Sequence, residues 1–348
     1  MTKRLILHIG SPKTGSTPLQ CFLSRNQSRL LKSASILYPN SGRIGWAHHN
    51  IAYEYGGKHL QSKFKLGCGG LLDVLSEFRL STASTLLLSS EAFFHYGRES
   101  YLRLVENLGS LEINVMFFLR RQEEYLQSGY QQIHKYARVL DMPLEFGIRK
   151  KNIANYHLLI DKLTVIFGCN SVFAIPYLNR DTGFDVRQSF CSSLGIATNS
   201  FDFSLPPCGE NASLDIHSHT FFRYLFSSGQ ASPSAGLPTR LVSDVHAFAR
   251  NRSESNVKYT FLDQYQSDLL RMEFRHSNGK LHNLLKECAN SSVNLLSIPA
   301  APVYGLPEAL PYSPDQKRFF AATARRYGYC FDQDELPTRS LFSTPVDR

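Results

Sequence analysis

Residues 4–17, Arg-Leu-Ile-Leu-His-Ile-Gly-Ser-Pro-Lys-Thr-Gly-Ser-Thr, constrain the fold more than any other part of this 348-residue chain. Leu5 to Ile9 form a short apolar run of strand type, which breaks into a glycine-bounded loop from Gly10 to Gly15. Ser16 and Thr17 follow, and an apolar periodicity of helical type sets in near Pro18. Strand, tight loop and helix N-terminus in that order build an anion cradle. Backbone N–H groups and the positive end of the helix dipole converge on one point.

A strand that feeds such a loop needs partners, and the chain supplies them by alternation. Strand-like runs fall at 4–9, 35–38, 85–89, 114–119 and 171–175, and helical stretches at 17–32, 70–80, 98–108, 122–138, 153–167 and 184–194. Alternating units imply an α/β fold: a P-loop-like three-layer αβα arrangement with a mostly parallel central sheet. A helical C-terminal region follows it. Ligands in such sheets bind at the C-terminal strand edge, where both Lys13 and Arg120 fall. The expected division is an α/β core over 1–227, a loop or linker over 228–238, and a mainly helical extension over 239–348 packed on the core. Residues 39–84 are too long for a plain connection and read as a substrate-side insertion, partly disordered or lid-like. A proline-rich stretch runs from Pro299 to Pro314.

The position of the lysine separates this loop from its commonest relative. A nucleotide-triphosphatase loop reads G-x-x-x-x-G-K-[ST], with lysine directly before the Mg²⁺-binding hydroxyl. Gly10 and Gly15 keep that spacing, but position 16 is Ser and the lysine lies inside the loop at Lys13. A second segment belongs with the first. Val115 to Leu119 are continuously apolar, as in a parallel strand buried on both faces, and Arg120 and Arg121 stand at its end. A helix then runs from about Gln122 to Arg138, with Tyr125, Leu126, Gly129, Ile133 and Tyr136 as its inner stripe, and it places Ser128 eight residues after Arg120.

Taken together, the two segments resemble the phosphate-binding motifs of the sulfotransferases that use 3′-phosphoadenosine 5′-phosphosulfate (PAPS), closer to the bacterial and Golgi-type carbohydrate enzymes than to those acting on phenols and steroids. The resemblance covers roughly 4–38, 85–138 and 171–195. It implies that Pro12, Lys13, Thr14, Gly15, Ser16 and Thr17 hold the donor's 5′-phosphosulfate, with Lys13 at the leaving oxygen and no metal required. It implies too that Arg120 and Ser128 clamp the 3′-phosphate, a guanidinium forking onto phosphate oxygens beside a hydroxyl donor. Tyr177, after the strand at 171–175, takes the place of a tyrosine near the adenine, although a buried aromatic cap explains it equally. The acceptor implied is a hydroxyl of a glycan or glycolipid. One departure stands out. The late arginine-lysine-glycine segment of animal cytosolic members is not evident, and Ser277-Asn278 after Arg275 is a distant substitute.

The base that deprotonates the acceptor has several candidates. Glu91 ends Leu86-Leu87-Leu88-Ser89-Ser90-Glu91 at the same sheet edge and is the first choice, although a helix-capping carboxylate explains it equally. His48 and His49, in Trp46-Ala47-His48-His49-Asn50, are the alternative, since neutral imidazole suits the task near pH 7. With Glu91 as base, His49 becomes a substrate-orienting group. His95, four residues after Glu91, is a weaker substrate-side candidate. Open alternatives for the whole chain are a P-loop kinase or nucleotide-triphosphatase, with Glu91 ordering Mg²⁺, a sulfotransferase acting on a small-molecule alcohol, and a binding protein without catalysis.

Composition excludes little beyond this. A net charge of +9 attracts anions but does not choose among a polyanionic donor, an acidic glycan and nucleic acid. No nucleic-acid-binding signature accompanies it. No apolar stretch approaches the roughly 18 residues that span a bilayer. The N-terminus is spent on the first strand, so no cleavable signal is expected. Seven cysteines with no C-x-x-C pair argue against a zinc site or disulfide framework and favour a reducing compartment. The expected location is cytoplasmic, with a peripheral place at the inner membrane as the variant.

Overall fold

The computed structural model describes residues 3–134, 141–178, 183–198, 201, 203, 214–232, 235–250, 259–288, 300, 302–304, 306, 312–331 and 341–342. Tyr136, Cys208, the end of the helix expected to reach Arg138, Pro233 and Ser234 of the expected linker, and much of the 299–314 stretch lie outside them. The strands are β1 Arg4–His8, β2 Ile36–Leu37, β3 Thr85–Ser89, β4 Glu112–Leu119 and β5 Val172–Pro176. The helices through the first half are α1 Ser16–Arg25, α2 Gln27–Ala34, α3 His49–Tyr55, α4 Lys58–Gln61, α5 Leu71–Leu80, α6 Arg98–Leu108, α7 Gln122–His134 and α8 Pro143–Arg149. After them come α9 Tyr156–Phe167, α10 Val186–Ser193, α11 Ile216–Ser227, α12 Thr239–Arg250, α13 Gln264–Glu273, α14 Arg275–Glu287 and α15 Pro314–Arg326.

The five strands form one parallel sheet in the order β2-β3-β1-β4-β5. Side chains alternate across a strand, and here both sides are apolar. Leu5 and Leu7 of β1, Leu86 and Leu88 of β3, and Val115, Phe117 and Leu119 of β4 enter one core with residues of α3, α5, α6, α9 and α14. Ile6, Leu87, Met116 and Phe118 point the other way, into a second core with Leu19, Phe22, Leu23, Leu30 and Phe190. Helices therefore cover both faces, which is why the strands read as unbroken hydrophobic runs. The fold is the three-layer α/β class. The order reverses at β1, between β3 and β4, so the loops after β1, β3 and β4 open side by side at a topological switch point.

The chain divides into two compact units that interleave in sequence, unlike the expected split into 1–227 and 239–348. The first, 1–121, 155–210 and 275–300, contains the sheet. The second, 122–154, 211–274 and 301–348, is helical among its described residues. Its cores gather Phe221, Phe222 and Phe320 in one cluster and Tyr130, Phe146 and Phe261 in another. Arg271 pairs with the nearly buried carboxylate of Glu123 at 3.2 Å.

Two expectations about the first unit change. Residues 39–84 carry α3, α4 and α5, and Asn50 pins their central loop: its amide donates to the carbonyls of Lys65 (2.9 Å) and Gly69 (2.7 Å) and accepts from the Lys65 N–H. Lid-like disorder is not what its hydrogen bonding describes. The cysteine pattern argued against a disulfide framework, yet Cys169 and Cys288 form a disulfide that joins the turn after α9 to the end of α14. Their separation of 119 residues is no motif. Packing of α14 on α9 brings them together, and spacing arithmetic has no access to that.

Candidate active site at the C-terminal edge of the sheet

The loop after β1 is held in a conformation that most residues avoid. Gly10 (φ 50°), Lys13 (φ 68°) and Gly15 (φ 78°) all lie in the left-handed region. Glycine enters it freely, whereas a lysine there marks a position over-determined by its surroundings. Two of those surroundings are visible. The Thr14 hydroxyl donates to the Ser11 carbonyl at 2.5 Å inside the loop, and Arg120 Nη1 donates to the Lys13 carbonyl at 3.2 Å from the end of β4. Helix α1 then starts at Ser16 with no side-chain cap and no acidic residue in its first turn, leaving its N–H groups to an anion. Ser11 Oγ is fully buried in the loop and has no hydrogen-bond partner among the described residues.

Arg120 also lies over the ring of Tyr177, 5.6 Å from its centroid, and Tyr177 borders Gly15: a Cβ there would sit 3.6 Å from Tyr177 Cε2 and 3.1 Å from Val186 Cγ1. Lys13, Gly15, Arg120 and Tyr177 thus occupy one place. Ser128 is half-buried on α7 and belongs to the second unit.

Glu91 reaches the loop from the neighbouring strand. A Cβ on Gly10 would come within 3.0 Å of Glu91 Cγ, so only glycine lets the carboxylate side chain close against the loop. Gln20, on the second turn of α1, donates to Glu91 Oε2 at 3.0 Å. His49 Nε2 lies 3.9 Å from the same oxygen, and both side chains keep about a quarter of their surface, 28% and 24%. The Ser90 hydroxyl meets His49 Nδ1 at 2.7 Å. A neutral imidazole accepting at Nδ1 carries its proton on Nε2, toward Glu91. Burial lowers the His49 pKa and the charge of Glu91 opposes that shift. Tyr53, one turn along α3, stacks on His49 with centroids 5.9 Å apart.

His48 is a different kind of residue. It is fully buried, accepts from the Ser89 N–H at Nδ1 (3.2 Å) and faces the Pro39 carbonyl at Nε2 (3.1 Å). Burial drives its pKa down to about 3. With both nitrogens engaged it has none to offer a substrate, and its work is to stitch 39–48 to the end of β3, which sets His49 beside Glu91. His95 is exposed and packs edge-on against Phe94. Residues that sequence reasoning passed over are Gln20, Ser11, Ser90 and Tyr53. A signal existed for Gln20: a polar residue between Leu19 and Cys21 in the buried stripe of α1.

An uncapped helix start behind a left-handed loop, a lysine in that loop and a carboxylate closing on it from the neighbouring strand meet at the C-terminal edge of a parallel α/β sheet. No protein-family model matches the chain. No curated protein matches it either. Among solved structures it is similar to a sulfotransferase from Alicyclobacillus acidocaldarius, at 14% identity over 71% of this chain and 97% of that one, with a TM-score of 0.40. A likeness of that size assigns no residue its role. Among the described residues no group of three or more His, Cys, Asp and Glu is placed to hold a metal ion, and no helix is long and apolar enough to cross a membrane.

Proposed function

We propose that the chain is a PAPS-dependent sulfotransferase that moves a sulfuryl group to a hydroxyl of a glycan or glycolipid. The observation that carries this reading is the closure of Glu91 on Gly10, which sets a proton acceptor against the loop that holds Lys13. The buried, unpartnered Ser11 hydroxyl and the uncapped start of α1 fit an anionic group in that loop. In the loop that runs on from Pro12, the backbone N–H groups of Lys13 to Thr17 and the Ser16 and Thr17 hydroxyls would hold the 5′-phosphosulfate. Arg120 would take the 3′-phosphate and Tyr177 the adenine side, with Ser128 assigned by its spacing from Arg120 alone. When bound, the donor supplies an activated sulfuryl group whose transfer leaves charge on a phosphate oxygen. Lys13 offsets that charge, Glu91 accepts the acceptor's proton, and His49 orients the hydroxyl.

Calorimetric titration with adenosine 3′,5′-bisphosphate and with ATP–Mg²⁺ tests the reading. The bisphosphate should bind without metal and more tightly than ATP–Mg²⁺. A preference for ATP–Mg²⁺ would turn the assignment to a P-loop kinase, and binding of neither would end both.

A further inference from the structure

Beneath Glu91 lies a buried polar group that the chemistry above does not use. Gln20 is 3% exposed, and its amide nitrogen donates both to Glu91 Oε2 (3.0 Å) and to Ser89 Oγ (3.3 Å). Ser89, fully buried at the end of β3, meets His8 Nδ1 at 2.7 Å. The amide therefore ties α1 to the end of β3, and the Ser89 hydroxyl carries the link on to β1. A buried amide is costly unless it is hydrogen-bonded, and a donor fixed in that way gives a carboxylate little freedom to turn.

The asymmetry within the carboxylate is the informative detail. Oε2 receives Gln20 and faces His49 Nε2. Oε1 accepts no hydrogen bond among the described residues. Tyr53 on α3 and Tyr38 after β2 also feel the charge of Glu91, and neither hydrogen-bonds to it. We propose that Gln20 is a positioning residue: it anchors Oε2 so that Oε1 is the atom that takes the acceptor's proton. This rests on the reading of Glu91 as the base. In the step itself the acceptor O–H bond breaks toward Glu91 Oε1 and the acceptor oxygen forms the new bond to sulfur. The bond from sulfur to the bridging oxygen breaks, and its electron pair leaves with the phosphate. Because Gln20 lies one turn after Ser16, the helix whose first turn faces the donor also aligns the base.

Gln20→Met keeps the volume and removes the amide, while Gln20→Asn keeps the amide and withdraws it from reach. In protein labelled with ¹³C-glutamate, the Glu91 carboxyl resonance is identified by its loss in Glu91→Gln. At fixed pH it should move in whichever of the two variants folds, and no acceptor is needed for that measurement. Affinity for adenosine 3′,5′-bisphosphate should stay at the wild-type value. In sulfuryl transfer from PAPS to a panel of methyl glycosides, kcat should drop by about 10–100-fold with donor KM unchanged, the scale of a misplaced reacting group. An unmoved resonance, or a loss confined to donor KM, overturns the positioning role. Glu91→Gln turning over at the wild-type rate overturns the base assignment itself. Glu91→Gln inactive beside a fully active Gln20→Met overturns only the part given to Gln20.

Discussion

Lys13 combines a left-handed backbone with the side chain proposed to meet the donor, and the two properties have separable consequences. Lys13→Ala keeps a Cβ in the same strained conformation, so stability should change little. Removing the ammonium should lower sulfuryl transfer by about 10²–10³-fold, the cost of deleting one preorganised charge donor. Single-turnover rates at saturating donor, read beside the melting curve, check both halves. Gly10 makes the opposite case. Gly10→Ala imposes φ 50° on an L residue and drives a Cβ to 3.0 Å from Glu91 Cγ and 3.3 Å from Glu91 Cα. The backbone contribution alone is about 1–2 kcal/mol. Urea unfolding should show a loss at least that large, and activity should fall with it because Glu91 must retreat. The glycine and the lysine were both legible in the sequence as a loop motif. That Glu91 closes on Gly10 was not, since 81 positions separate them and only the β1–β3 pairing brings them together.

At the scale of elements, strands proved easier to read than connections. The runs expected at 4–9, 85–89, 114–119 and 171–175 all appear as parallel strands within a residue or two, because burial on both faces forces unbroken apolar sequence. Residues 39–84 misled by length. A connection too long for a plain link suggested a partly disordered or lid-like insertion, yet Asn50 and His48 satisfy the loop's backbone from within and no periodicity announces such bonds. The α9–α14 pair misled in another way, since its disulfide depends on two helices meeting. A cross-link over 119 residues restricts the unfolded chain strongly. Cys288→Ser should therefore cost about 2–4 kcal/mol, measured by denaturant unfolding with the wild type under non-reducing conditions. Under full reduction the two proteins should converge.

The whole molecule carries a pH signature. His8 and His48 in the first unit and His134 in the second are buried, and burial holds each near a pKa of about 3. The ordinary value is 6.5, so below it the unfolded chain binds protons that the native chain refuses. Stability contributed by these groups is level above pH 6.5 and declines as pH falls from 6.5 toward 3. Urea midpoints at pH 8 and 7 should agree, with a drop by pH 5.5, before most carboxylates titrate. His48→Gln should flatten that first drop. A midpoint that rises on acidification would show these histidines to be charged in the native state.

What the sequence by itself determined is local: an apolar run of strand length, a loop bounded by glycines, a lysine within it and a helix behind it. Those features depend on neighbours a few residues apart, where steric limits and periodicity act directly. Tertiary structure decided the rest. It set β1 between β3 and β4, so that Glu91 and Arg120 flank one loop. It turned His48 inward and His49 outward, though the two are adjacent and chemically identical. It drew 275–300 into the unit of the sheet and 122–154 out of it. Each of these outcomes rests on burial and hydrogen bonding between segments far apart in the chain, and free energy of that kind exists only once the segments have met.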